Sequence, residues 1–477
     1  MKKNIAVLGK FLLLLFSGLM LYLGYISLYR GPQLQVDRHN PRLVTAEKQV
    51  WRGTIFDRHG RVMAEDRAAG GIKIRVYPAG EVTAHPLGYV SSRYGRAGLE
   101  AAWDRYLLAL DDQGRWYNKI AAFLGHPQRG YNVYSTIDLE LQQKARRLLG
   151  NRKGAVVAID PRSGRILAMV SNPSFNPGHL ERYFAASVSG ANQAQLVNRA
   201  LFGLYPPGST FKIVTAAAAL QKKPQLSGEE FICRGSFNAG GYLLKEQKSH
   251  GHLDFAGAMA VSCNVVFAQL GMQAGYEDLR RMAVALGWQE YDYKTPLQEK
   301  IVQFPDLSYL PGVLPGEVDD AELAASAIGQ GRVLASPLQM AMLAGVVAAR
   351  GRLYQPHFLA AVTDQKGKII VHEEIKELGR PFPEEVAVRI AQAMQQVVQT
   401  GTGKKARVAG VEIAGKTGTA ENGQGPPHAW FVGFAPARRP QIALAVLVEN
   451  GGGGGEVAAP VAAQLFASFL ANGGEGN

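Results

Sequence analysis

The stretch Tyr205-Pro206-Pro207-Gly208-Ser209-Thr210-Phe211-Lys212 decides how the rest of the chain is read. Its Pro-Pro-Gly segment resists a helix, whereas Thr210 onward, running into the alanines at 216–219, has an apolar helical pattern. Ser209 therefore falls at a helix N-terminus, where unpaired N–H groups and the positive dipole end favour developing negative charge. Lys212, three residues on, shares its face. A serine hydroxyl is a weak nucleophile and needs a base. A lysine held among cations and away from water can lose its proton near neutral pH and fill that role. Taken alone, the pair reads as a helix cap followed by an exposed lysine, and its chemistry depends on what lies downstream.

Two further motifs lie there. Ser262-Cys263-Asn264 follows the apolar run Ala256–Val261 and precedes Val265-Val266-Phe267, so it is expected at a bend between helical pieces. Ser262 can relay a proton to a leaving amine, and Asn264 can hold a substrate amide and the lysine together. Lys416-Thr417-Gly418-Thr419 is expected in a strand. Lys416 supplies a second cation, Thr417 and Thr419 offer hydroxyls to a carboxylate, and Gly418 lets a substrate backbone approach. The backbone N–H groups of Ser209 and Thr419 are candidates for an oxyanion hole. Each motif has a bland reading, a polar turn or a loosened edge strand. Their order, with Pro-Pro-Gly before the serine and His428-Ala429-Trp430-Phe431-Val432-Gly433 after the last threonine, favours a serine acyl-transfer site in which lysines replace histidine.

At 477 residues and 47% hydrophobic the chain can build two or three cored domains. Its formal net charge of +13 suits an anionic polymer or lipid head groups. No run of Lys and Arg interleaved with aromatics is present, and no nucleic-acid partner is expected. Lys10 precedes an uncharged stretch, Phe11–Tyr29, of 19 residues, enough to cross a hydrocarbon core as a helix. Lys2, Lys3 and Lys10 favour the short N-terminal side in the cytoplasm. Tyr25–Arg30 makes a poor cleavage site, so an uncleaved signal anchor is expected, with the body of the protein outside the cell membrane. An extracytoplasmic setting permits a Cys233–Cys263 disulfide, but two buried free thiols are the expectation. No metal is expected, because neither Cys-x-x-Cys nor His-x-x-x-His spacing occurs. Nor is a cofactor.

Along the chain, a polar stretch Gly31–Lys48 leads into a strand-turn-strand signal at Val50–Ala64, turning at Asp57–Gly60. Ile72–Val76 alternates as a strand, and Gly98–Leu107 has helical spacing. Residues 31–130 thus form a small α+β unit without evident chemistry. Tyr131–Ile137 reads as a strand, Asp138 as the cap of a helix Leu139–Leu149, and Gly154–Ile159 with Arg165–Val170 as a hairpin. Helices are expected over most of 210–350 and at Arg389–Val398. Strands follow at Val411–Gly415, His428–Gly433 and Gln441–Leu447, then a flexible five-glycine loop Gly451–Gly455 and a closing helix Glu456–Leu470. The pattern is an antiparallel sheet covered by helices, an α+β fold.

These motifs resemble the penicillin-binding protein and serine β-lactamase superfamily, and within it the class B penicillin-binding proteins of elongation or sporulation type. Arg52-Gly53-Thr54-Ile55-Phe56-Asp57-Arg58-His59-Gly60 is similar to that family's N-terminal signature, and Gly98-Leu99-Glu100, Ser135–Asp138, Gln142 and Asp160-Pro161-x-x-Gly164 resemble later family segments. The resemblance implies a transmembrane anchor (1–30), an N-terminal pedestal or dimerisation-like domain (31–130) and a transpeptidase domain (131–477). It implies that Ser209 attacks the penultimate D-Ala carbonyl of a peptidoglycan stem peptide, with Lys212 as base. Ser262 and Asn264 relay and position, and Lys416 to Thr419 clamp the carboxylate. It also implies inhibition by β-lactams and a RodA/FtsW-type membrane glycosyltransferase as partner.

Three alternatives stay open at this point. A D,D-carboxypeptidase or a β-lactamase-like hydrolase passes the same acyl-enzyme to water, and a non-catalytic scaffold or β-lactam sensor does no turnover. No clear Glu-x-x-x-Asn segment of the deacylating kind lies between Asn264 and Lys416. Intact Ser209, Lys212 and Lys416 argue against a degenerate scaffold.

Overall fold

The computed structural model describes residues 2–26, 49–70, 72–188, 194–292, 295–423 and 425–473. The expected polar stretch Gly31–Lys48 lies outside them, as does the C-terminal end of the uncharged run.

A five-stranded antiparallel sheet forms the centre of the larger body. Its order is Ala414–Ala420, His428–Ala435, Ile442–Val448, Gly154–Ile159 and Ile166–Asn172. Strands 154–159 and 442–448 are buried at every position, which is why they read as unbroken apolar runs rather than alternating ones. Alternation still decides the face each side chain serves. Val157, Ile159, Ala445 and Leu447 join one core with the helix Pro337–Ala348, which is apolar except for Gln339 and buried at all twelve positions. Val156, Ala158, Leu444 and Val446 join a second core with the helices Leu139–Leu149 and Gly454–Ala471. Asp138 caps the first of these as expected, accepting from the N–H groups of Glu140 and Leu141.

A second sheet has six strands, ordered Ile369–His372, Leu359–Thr363, Asn132–Ser135, Ile55–Phe56, Val62–Ala69 and Ile72–Val76. It runs straight across the sequence position where the N-terminal unit was expected to end. Ile55 lies parallel to Val133, and the seam extends beyond the formal strands. Trp51 donates to Gln128 (2.8 Å) and accepts from Gly130 (2.8 Å), Thr54 accepts from Val133 (2.9 Å), and Arg58 donates to Ile137 (2.9 Å), all through backbone groups.

Under this sheet the charges of two sequence motifs meet. Glu100, fully buried, takes Arg52 Nε at 2.6 Å and Arg75 Nε at 2.7 Å. Arg52 also reaches Asp104 (2.6 Å), which Arg96 holds at 3.2 Å, and Arg75 reaches Asp66 (3.3 Å).

Residues 210–350 are less helical than their composition suggested. Between the helices stand short strand pairs, Glu230–Cys233 with Gly251–Asp254, Ser236–Ala239 with Tyr242–Lys245, Gln289–Tyr291 with Val313–Pro315, and Val302–Phe304 with Leu307–Tyr309. At three or four residues each, their alternation is too brief to register as a pattern. One signal was present: Gly240-Gly241, both at positive φ (55° and 90°), form the turn between Ser236–Ala239 and Tyr242–Lys245. The five-glycine segment differs as well. Gly454 opens the closing helix, and a Cβ there would stand 2.2 Å from Gly418 O and 2.3 Å from Trp430 O. The glycine is required for close packing against the lysine strand rather than for looseness.

At the other end, Lys2–Tyr25 is one helix whose segment Val7–Tyr25 is long and apolar enough to cross a membrane and has no buried residue. Gly454–Ala471 passes the same test of length and composition but is half buried against the sheet.

Candidate active site

Gly208, at φ +53°, ends the Pro-Pro segment and begins a 3-10 turn, Gly208–Phe211, that runs into the helix Lys212–Lys222. Its N–H donates to Gly329 O (2.9 Å), and Thr210 Oγ1 donates to Pro207 O (2.6 Å). Trp430 Nε1 donates to Pro206 O (3.0 Å). The turn thus carries Ser209, half-buried, to the floor of an open cleft of about 1110 Å³ shared with Ser262, Asn264, Thr419, Lys245 and Arg332. Gly329 supports it from behind. Its φ of +75° disfavours any side chain, and a Cβ would lie 2.1 Å from Gly208 O. Gly329→Ala is expected to cost about 2 kcal/mol and to slow modification of Ser209 several-fold, read from thermal melting and covalent labelling. A melting temperature unchanged from wild type would show that the support is dispensable.

Lys212 is completely buried. Its Nζ lies 2.6 Å from Ser262 O, 2.7 Å from Asn264 Oδ1, 3.3 Å from Ser262 Oγ and 5.4 Å from the Phe267 ring centroid. Burial pulls its pKa down to about 7, opposed only in part by Glu246 and Cys263. A neutral amine has two protons and one lone pair. Ser262 O and Asn264 Oδ1 take the protons, which leaves the lone pair for a hydroxyl. Lys416, equally buried, donates to Ser262 Oγ (2.7 Å) and Thr417 O (3.0 Å). Burial, and then the Lys212 charge, hold its ammonium well below the usual lysine range.

Ser262 adopts the left-handed conformation at φ +60° and caps the helix Phe255–Val261, with Cys263 between it and the helix Asn264–Ala274, the bend expected from the sequence. A non-glycine residue there is held by its surroundings. Glu246 helps hold it: its carboxylate accepts from the N–H of Asn264 and that of Val265 (3.3 Å) at the positive end of the second helix. Sequence reasoning missed Glu246, which sits in no motif and reaches the site only through the fold.

The strand Ala414–Ala420 places the remaining candidates at an edge of the sheet. Gly418 packs against the serine turn, where a Cβ would touch Pro207 O and Thr210 Cγ2 at 3.0 Å. Thr419 is exposed and lines the cleft, and its Oγ1 accepts from Gly454 N (3.3 Å). Thr417 is buried, its hydroxyl 2.6 Å from that of Thr402. The fold therefore sets Ser209, Ser262, Asn264 and Thr419 along one cleft, with Lys212 and Lys416 buried within hydrogen-bond reach of Ser262, Gly418 packed on the serine turn and Thr417 buried beside Thr402. Cys233 and Cys263 are buried free thiols, close to His250.

The profile described as "Penicillin binding protein transpeptidase domain" matches residues 154–467, and that of the "Penicillin binding protein A dimerisation domain" matches residues 52–133. The chain is 34% identical to "Peptidoglycan D,D-transpeptidase PbpA" of Mycolicibacterium smegmatis over 94% of each protein. It is 30% identical to "Stage V sporulation protein D" of Bacillus subtilis over 87% of this chain and 66% of that one. A solved ceftriaxone acyl-enzyme complex of penicillin-binding protein A from Mycobacterium tuberculosis superposes with a TM-score of 0.81 at 32% identity, covering 89% of this chain and 99% of that one.

Proposed function

The chain belongs to the class B penicillin-binding proteins, and from that premise we propose how its own residues carry out peptidoglycan D,D-transpeptidation. Ser209 Oγ attacks the penultimate D-Ala carbonyl of a stem peptide, and Lys212 takes its proton. The backbone N–H groups of Ser209 and Thr419 receive the oxyanion. Ser262, between the two lysines, returns a proton to the departing D-Ala amine. An amine from a neighbouring stem peptide then takes the acyl group, freeing Ser209 and completing the cross-link. Lys416, Thr417 and Thr419 are assigned to the terminal carboxylate, Thr419 from within the cleft and Thr417 through the strand it stiffens. β-Lactams acylate the same serine.

The observation that carries this reading is Lys212 itself. It is fully buried, one helical turn after a serine on the cleft floor, with both amine protons engaged and a pKa near 7. A base tuned to the working pH is what serine acyl transfer requires.

The same reading makes Lys2–Tyr25 a single-pass signal anchor, with Lys2, Lys3 and Lys10 on the cytoplasmic side and the catalytic domain outside. It divides the chain into anchor (1–30), pedestal (31–130) and transpeptidase domain (131–477). The anchor and pedestal are assigned to a RodA/FtsW-type glycosyltransferase that supplies the glycan strand.

The test is to incubate the protein with a fluorescent penicillin, follow the label over hours and locate it by peptide mass. A persistent adduct on Ser209, together with dimer formation from a D-Ala-D-Ala pentapeptide and an amine acceptor, is the expected result. Loss of label within seconds would instead favour a hydrolase, and no label a scaffold.

A further inference from the structure

The helix Asp112–Phe123 is built inside out. Gly114, Asn118 and Ala121, spaced i, i+4 and i+7, are its buried residues, so its packing face is small. The opposite face carries Trp116, Tyr117, Ile120 and Phe123 and continues into Leu124, all exposed, Trp116 at 66% and Phe123 at 90%. Single exposed apolar side chains are ordinary, but five together on one helical face mark an interaction surface. The helix is sewn down from behind: Asn118 Nδ2 donates to Arg129 O (3.2 Å), and its Oδ1 accepts from Arg129 N (2.9 Å). Arg129 in turn pairs with Trp51, where the chain arriving from the membrane helix enters the fold. The same end of the six-stranded sheet gathers two more features. Lys73, beside the hairpin tip that leaves Ile72 exposed, donates to Val50 O (2.6 Å), and Gln365, in the turn 364–368, donates to Gly130 O. Tyr117, Ile120 and Leu124 share a recess with Arg129 and Gln365. Lys119, Arg129, Lys366 and Lys368 are exposed at this end, and Asp112, the exposed acid on the helix, is paired with Arg115 (2.9 Å).

We propose that this end of the molecule lies on the anionic lipid surface from which the chain emerges. Trp116, Ile120 and Phe123 enter among the upper acyl chains, while Lys119, Arg129, Lys366 and Lys368 meet the phosphate head groups. Trp and Tyr beside Lys and Arg is the chemistry of the membrane–water boundary, where an amphipathic ring keeps its polar edge wet. Two features favour lipid over a protein partner. The face lies at the end of the sheet that residues 27–48 join to the membrane helix, and its rim is basic. The contact adds a second, peripheral attachment to the anchor. It stands the six-stranded sheet end-on to the membrane and stops the catalytic body swinging about a single point.

The experiment places the full chain in nanodiscs of phosphatidylcholine and phosphatidylglycerol brominated on the upper acyl chain, and reads tryptophan fluorescence against unbrominated discs. The membrane helix contains no tryptophan, and Trp103, Trp288 and Trp430 are buried, so bromine can reach only Trp116 and the half-buried Trp51. The expected result is quenching that Trp116→Phe removes. Phe123→Glu, which keeps Trp116, is expected to lose it too, with the wild-type melting temperature and penicillin label on Ser209 retained, since Phe123 touches neither core nor cleft. Discs of phosphatidylcholine alone are expected to reduce the quenching several-fold, because the rim then meets no net charge. Quenching indifferent to Trp116→Phe and Phe123→Glu would overturn the proposal, and quenching equal in the two lipids would overturn its anionic part. A detergent-solubilised dimer that Phe123→Glu turns into a monomer would give the face to a second copy instead. The inference rests on Lys2–Tyr25 spanning the membrane, and the two failures are separable: extraction of the chain by alkaline carbonate would refute the span, whereas an embedded chain with Trp116 unquenched refutes only the docking.

Discussion

Lys212→Met is expected to slow acylation of Ser209 by a labelled penicillin by about 10³-fold, within the range a positioned general base supplies. Methionine keeps the unbranched stem in its buried slot and removes only the amine. Ser209 then loses its proton acceptor, since Lys416 Nζ is turned to Ser262 Oγ and Thr417 O. The fold should survive. Ser262 O and Asn264 Oδ1 each lose a donor, at roughly 1–3 kcal/mol, but the substitution also removes the cost of burying an amine. The wild-type pH profile has a determined sign. With neutral Lys212 as the proposed base, acylation should rise with pH through about 7 and level off above it. Two lysines so close titrate as a pair, and the inflection belongs to both. Lys212→Met should lose that inflection. A variant labelling within tenfold of wild type, or a flat wild-type profile across neutrality, would remove Lys212 from the base role.

Glu100→Ala should be the most destabilising single change outside the cleft. The carboxylate is fully buried and bridges Arg52 and Arg75, so its loss leaves Arg52 to Asp104 and Arg75 to Asp66, each short of a buried partner. Removing one partner of a buried ion pair costs about 3–5 kcal/mol. For a cooperative unit of this size the unfolding entropy is about 1 kcal/mol per degree, so a melting drop of roughly 3–5 °C is expected. Burial alone would push the Glu100 carboxyl up, but Arg75 and Arg52 together hold it below its usual value. A depressed carboxyl contributes its stability above the unfolded pKa and loses it as pH falls through the folded one. The gap between wild type and variant should therefore be full at neutral pH and close in acid below about pH 4. A gap that persists unchanged into acid would mean that lost packing, not charge, is responsible.

How much of this was legible beforehand can be argued from single residues. Ser209, Lys212, Ser262, Asn264 and Lys416 were named from spacing alone because acyl transfer constrains residue types locally: a base one turn from a nucleophile, a cation on a strand. Asp138 and its helix were readable because a cap acts on the turn that follows it. Glu246 was not, since what recruits it is the free N-terminus of a helix far along the chain. The short strand pairs between 230 and 315 were too brief to show a period. That Thr419 lines the cleft while Thr417 pairs with Thr402 depends on how the neighbouring helix and loop sit around that strand, which no motif records. Gly454 read as part of a flexible loop, and only tertiary contact shows that it is where backbones touch; Gly329, which carried no signal in the sequence, is another such place.

The parallel seam between residues 51–58 and 128–137 has a mechanical meaning. Force applied to the chain from its N-terminal side draws the first segment one way, while the second is held at its far end by the catalytic body that follows it. The bonds at Trp51, Thr54 and Arg58 are then loaded in shear and share the strain, instead of opening one at a time like a zip. A tether built this way transmits tension into the enzyme without coming undone.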